Sequence, residues 1–101
     1  PFFIARWNDV LNGIGLRGHI ENPYWDKTKG EMVAACANGR LLRRLVPSSL
    51  SCASPTKGRW RGLGTQHCGY CLPCLIRRAA LKAGLQPGAD PTTYTIDDLT
   101  A

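Results

Sequence analysis

Residues 67–78 read His-Cys-Gly-Tyr-Cys-Leu-Pro-Cys-Leu-Ile-Arg-Arg, and Ser51-Cys52 stands upstream, with Cys52 sixteen positions before Cys68. Cys68, Cys71 and Cys74 recur at every third residue, and Cys52 brings the set to four. Four thiolates are a complete tetrahedral shell for Zn²⁺ and leave no position open for water. A Cys-Gly-x-Cys turn aims two sulfurs at one point, with Gly69 allowing the tight backbone between them. Pro73 suits the first position of a helix, which puts Cys74 in the first turn, where the dipole favours a thiolate. Cys52, Cys68, Cys71 and Cys74 are therefore the expected metal ligands, and the expected cofactor is a structural Zn²⁺. The ion would tie a distant loop to a helix and add stability that a small core lacks. Other uses of these residues stay open. An iron–sulfur cluster also takes four cysteines, although the Cys-Pro ending of the bacterial ferredoxin run is missing. Disulfides suit secreted chains, but five cysteines pair poorly. His67 can replace one thiolate. Cys36 is expected to be a small buried hydrophobe, and His19 a loop residue.

Working outward, the helix beginning at Pro73 should run to about residue 83, with Leu75, Ile76, Ala79, Ala80 and Ala83 on one face and Gly84 past its end. Thr28 and Glu31 form a Thr-x-x-Glu capping box. It predicts a helix over about 29–38, with Met32, Val33, Ala35 and Cys36 as the buried stripe and Gly39 as its terminator. Leu41, Leu42, Leu45 and Val46 continue apolar until Pro47. Phe3, Trp7, Val10, Leu11 and Ile14 predict an amphipathic helix over about 3–13. A short strand is expected near His19–Glu21, a functional loop over 47–70, and a last helix from Thr95 towards Ala101. Repeats and low-complexity tracts are absent from the sequence. The expectation is one segment, 1–101, mainly α with irregular loops.

At 101 residues the chain supports one domain at most, and a chain of this size buries only about two-thirds of its unfolded surface. Its 44% apolar content argues against full disorder. No apolar run approaches the roughly 18 residues of a membrane span. The opening Pro-Phe-Phe-Ile-Ala-Arg does not read as a signal peptide, so a cytoplasmic protein without a membrane partner is expected. The net charge is +6 and unevenly placed: from Met32 to Ala89 there are nine basic residues and no acidic one. Such a run either meets an anion or is a solvated face. Lys57, Arg59, Arg61, Arg77 and Arg78 are the candidate anion-binding residues. Trp60 either stacks on a base or covers the metal loop. Catalytic constellations do not stand out. No phosphate-binding glycine pattern occurs, and Ser54 with Lys57 makes only an isolated S-x-x-K.

The group Ser51-Cys52 with His67-Cys68-Gly69-Tyr70-Cys71-Leu72-Pro73-Cys74-Leu75-Ile76-Arg77-Arg78 resembles the C-terminal zinc-binding part of the 7-cyano-7-deazaguanine synthases (QueC type). Asn22-Pro23 through Thr28-Lys29-Gly30-Glu31-Met32-Val33 looks like the stretch that precedes it in that family. The resemblance covers about residues 20–84. It implies an α/β PP-loop ATP-pyrophosphatase fold, of which this chain is the helical C-terminal portion. It also implies ATP and Mg²⁺ in the whole protein, carboxylate adenylation, amidation by ammonia, and dehydration to a nitrile. The Ser-Gly-Gly-x-Asp-Ser nucleotide loop is absent here, so the resemblance implies a missing N-terminal portion or partner chain, and a homo-oligomer or complex subunit. The interval between Cys52 and Cys68 is longer and more basic than in the plain biosynthetic members, and Leu72-Pro73 stands where those tend to have Asp-Ser. These departures look more like the divergent members, including one from an anti-phage defence system (Qat). On that reading Lys57–Arg61 would lie over phosphates of ATP or of a larger anionic substrate. The alternative function is a free-standing basic zinc module that binds nucleic acid.

Overall fold

Four α-helices and two 3₁₀ turns order the chain in a computed structural model that describes residues 1–85 and 90–100. They are α1 (Phe2–Gly13), α2 (Lys29–Ala34), α3 (Gly39–Leu45) and α4 (Leu72–Gly84), with 3₁₀ turns at Val46–Ser48 and Lys57–Arg61. The described residues are mainly helical and contain no β-strand; an isolated parallel bridge joins His67 to Tyr94.

The Thr28 capping box forms. The Glu31 amide donates to Thr28 Oγ1 at 3.2 Å, and the Thr28 amide donates to the Glu31 carboxylate at 2.7 Å. These bonds satisfy donors that a helix start leaves orphaned. They also hold the Glu31 carboxyl below its ordinary range. The helix so begun packs against α4 along a seam of small residues. A methyl placed on Gly84 would lie 2.5 Å from Val33 Cβ and 2.8 Å from the Gly30 carbonyl oxygen. One placed on Gly30 would lie 3.3 Å from Ala83 Cβ. Glycine at 84 thus lets two backbones approach where any side chain would hold them apart. Below the seam Val46, Leu81 and Leu85 are buried together, with Val33 and Leu42 packed on them. This is a small apolar core for the length of chain it must order.

Helix α1 takes no part in that core. None of its residues is buried, and Phe2, Phe3, Trp7 and Val10 are exposed. Asn8 ties the helix to the loop beyond it: its Nδ2 donates to the Ile20 carbonyl at 2.9 Å, and its Oδ1 accepts from the Ile20 amide at 2.8 Å. The result is elongated, 51 × 33 × 24 Å, with a radius of gyration of 17.2 Å. A compact chain of this length has about 13 Å.

Several expectations are corrected. The helix over 29–38 ends at Ala34, and Gly39 opens α3 instead of closing α2. The reason is Asn38, whose side chain accepts from the Leu41 amide at 2.9 Å and so caps a new start. Cys36 consequently leaves the helical stripe and is exposed rather than buried. The loop 47–70 carries a helical turn, Lys57–Arg61. Residues His19–Glu21 form no strand, and the described residues from Thr95 form no helix. Ala101, the expected end of that helix, lies outside the described residues.

Candidate metal centre

Two separate stretches bring the four sulfurs together. Cys68 leaves the bridge with Tyr94, the chain turns at Gly69 with φ +97°, Cys71 caps α4, and Cys74 comes next in its first turn. Cys52 arrives from the loop after α3. The ligand atoms of Cys52, Cys68, Cys71 and Cys74 all lie within 4.8 Å of one another. Cys52 Sγ is 3.8 Å from Cys71 Sγ, and Cys68 Sγ is 3.9 Å from Cys74 Sγ. A tetrahedron with Zn–S bonds of about 2.3 Å has edges of about 3.8 Å. All four are free cysteines. Cys68 is 1% exposed and Cys74 is wholly buried.

Backbone amides point at the sulfurs. Ser54 N and Cys68 N donate to Cys52 Sγ at 3.3 and 3.4 Å, and Cys71 N donates to Cys68 Sγ at 3.4 Å. Such donors favour the thiolate. Amide bonding, led by Ala53, brings Cys71 down to about 6. Burial opposes ionisation at Cys68, but the amides of Tyr70 and Cys71 outweigh it and its pKa is lowered. Burial pushes Cys74 up to about 12. The shell therefore favours charge on some sulfurs and resists it on another, a conflict that a divalent cation removes by deprotonating every ligand. This donor set fits zinc, and it leaves no coordination position for a substrate.

His67 stands beside the cluster and outside it. It is 4% exposed, its Nε2 accepts from the Ser51 amide at 3.1 Å, and its ring meets Tyr94 edge-on. Burial, and then the Arg77 charge, lower its pKa, which keeps the imidazole neutral as that bond requires.

The five candidate anion-binding side chains fall into two groups. Arg77 Nη2 donates to the Val46 carbonyl at 2.6 Å, and its Nε to Thr92 Oγ1 at 3.0 Å. Arg78 donates to the Asp97 carbonyl at 2.7 Å and the Ile96 carbonyl at 2.5 Å, with its guanidinium 3.9 Å from the Tyr94 ring centroid. Both arginines thus fasten this chain's own loops to α4. Lys57, Arg59 and Arg61 lie on the exposed 3₁₀ turn instead, where Lys57 Nζ donates to Tyr70 Oη at 3.0 Å.

Sequence reasoning missed the strap formed by residues 90–97. Thr95 N and Ile96 N donate to the carbonyls of His67 and Cys68 at 2.8 and 3.0 Å, and Tyr94 Oη donates to Asp90 Oδ2 at 2.5 Å. The sequence signal available was Tyr94, an aromatic residue with an acidic partner four positions before it. An apolar groove of about 560 Å³, bordered by Met32, Cys36, Leu42, Pro73 and Ile76, opens between α2 and α4. Among the described residues no helix is long and apolar enough to cross a membrane.

No family model, no curated protein and no solved structure matches this chain.

Proposed function

We propose that Cys52, Cys68, Cys71 and Cys74 hold a structural Zn²⁺ and that the chain is a zinc-bearing helical module. The observation that carries this reading is the sulfur geometry: four thiols from two stretches, with opposed pairs at 3.8 and 3.9 Å. The ion supplies a cross-link between the Cys52 loop and α4. The protein supplies the amide donors and the burial. Elemental analysis of the purified chain should find one zinc per molecule. Cys71→Ser should lower that content and Cys36→Ala should leave it unchanged. A wild-type chain without stoichiometric zinc, or with its sulfurs paired to each other, defeats the proposal.

The finer reading rests on the sequence resemblance. It makes the module the C-terminal portion of a QueC-like, PP-loop, ATP-using protein acting on a deazaguanine or a related target, in nucleoside metabolism or anti-phage defence. The exposed apolar face of α1 and the open groove beside α4 support it, because a segment built against a larger body would leave such faces uncovered. On this reading the isolated chain cannot run the reaction by itself, and the Ser-Gly-Gly-x-Asp-Ser loop lies in a preceding segment or a partner chain. Absence of that motif from both would dismiss the finer reading and leave the zinc assignment standing.

A further inference from the structure

Trp60, the fourth residue of the turn Lys57–Arg61, is 84% exposed. An indole covering the metal loop would be buried, so that use of it is excluded. Its neighbours Arg59 and Arg61 are also exposed, and the Arg59 guanidinium lies 5.2 Å from the indole centroid. The turn is not a loose loop. Gly58 is buried beneath it, where an added methyl would lie 3.1 Å from Leu63 Cβ and 3.3 Å from Thr95 Oγ1. Leu63 N donates to the Gly58 carbonyl at 3.1 Å, and Gln66 N closes the loop on the Pro55 carbonyl at 3.1 Å. Lys57 is held by Tyr70, the residue between Gly69 and Cys71. The platform is thus bolted to the metal knuckle and loses little freedom when a ligand lands on it.

We propose that this turn is a docking site for single-stranded nucleic acid, with Trp60 stacking on a base and Arg59 and Arg61 pairing with the flanking phosphates. The chemistry asks for an occupant that is both anionic and flat. A nucleotide within a strand offers its base as a π-face to the indole and its two flanking backbone phosphates to the neighbouring cations. An acidic peptide satisfies the arginines but offers no flat group to the indole. A membrane surface is less suited, because the five-residue turn presents one aromatic group among three cations, and the aliphatic side chain beside it, Leu63, is only 38% exposed. No acidic residue between Met32 and Ala89 opposes a phosphate backbone within that run. This inference does not rest on the finer functional reading.

The test uses the full zinc-loaded chain and a fluorescein-labelled oligothymidylate of about 15 nucleotides, with anisotropy read at low and at physiological salt. Saturable binding is expected. It should weaken with salt at a log–log slope of about −0.7 for each phosphate contacted. Trp60→Ala should weaken it about tenfold or more at unchanged zinc content, whereas Trp60→Phe keeps most of it. Arg59→Ala with Arg61→Ala should reduce the slope by about 1.4. Arg40→Ala with Arg44→Ala should leave the affinity within about twofold, the ordinary scatter for groups outside the contact. In a Trp7→Phe, Trp25→Phe chain the remaining indole should be quenched by the oligonucleotide, which reads the stacking without altering Trp60. Absence of binding, absence of quenching, or equal affinity of the Trp60→Ala chain overturns the proposal. So does equal or tighter binding of poly-L-glutamate or of phosphatidylglycerol vesicles, which would reassign the surface to a protein or a membrane. Zinc content measured on the same samples reports separately on the metal centre.

Discussion

Gly69→Ala tests how the knuckle is closed. Gly69 has φ +97°, and its missing side chain is the space occupied by the strap. An added methyl would collide with the Ile96 carbonyl oxygen and lie 2.8 Å from Arg78 Nη2. Three effects then act together. A residue with a Cβ in the left-handed region costs about 1–2 kcal/mol. Moving Ile96 away breaks its amide bond to the Cys68 carbonyl, about 1 kcal/mol. It also breaks the bond from the Arg78 guanidinium to the Ile96 carbonyl, about 1.5–3 kcal/mol for a charged donor. The expected loss is about 3.5–6 kcal/mol, a large part of the roughly 5–15 kcal/mol that stabilises a domain of this length. Urea unfolding monitored by far-ultraviolet circular dichroism, with zinc in excess, reads the loss directly. Gly64→Ala is the matched control: nothing lies within 4 Å of its added methyl. Its stability should fall by no more than about 0.5 kcal/mol. If Gly69→Ala lies within about 1 kcal/mol of that control, the strap does not lock the turn.

The packing sets three further outcomes. Gly84→Ala should cost about 1–3 kcal/mol by driving α2 from α4, and urea midpoints equal to wild type would deny the close seam. Thr28→Ala removes the cap on α2 and should cost about 1 kcal/mol, read from the same midpoints. Burial and the bond to Asp90 push the Tyr94 phenol up to about 12 from an ordinary 10, so the folded state favours its neutral form. Its contribution to stability is complete below pH 10 and is lost as the pH rises towards 12. Tyr94→Phe should abolish that part of the alkaline decline, and midpoints against pH that run parallel to wild type through this window would show that Tyr94 does not drive it.

Features written as short-range spacing were legible in the sequence. The Thr28–Glu31 box, Pro73 at the start of α4, and four cysteines in two stretches each encode a local geometry that needs few neighbours to specify it. Gly39 misled because glycine is permitted at either end of a helix, and the deciding residue was Asn38, one position earlier. Cys36 was misplaced for the same reason, since its burial depended on α2 continuing. The fates of Arg77 and Arg78 were not readable, because nothing local distinguishes an arginine facing solvent from one donating to carbonyls 18 to 31 residues away. The strap was hidden likewise: its bonds to His67 and Cys68 are backbone bonds, which leave no mark in residue type.

That strap sets the minimum length of a working knuckle. A piece cut after α4 keeps every cysteine, yet loses the carbonyls that hold Arg78 and the backbone that roofs Gly69. The smallest autonomous unit therefore extends at least through Asp97, some two dozen residues beyond the final thiol.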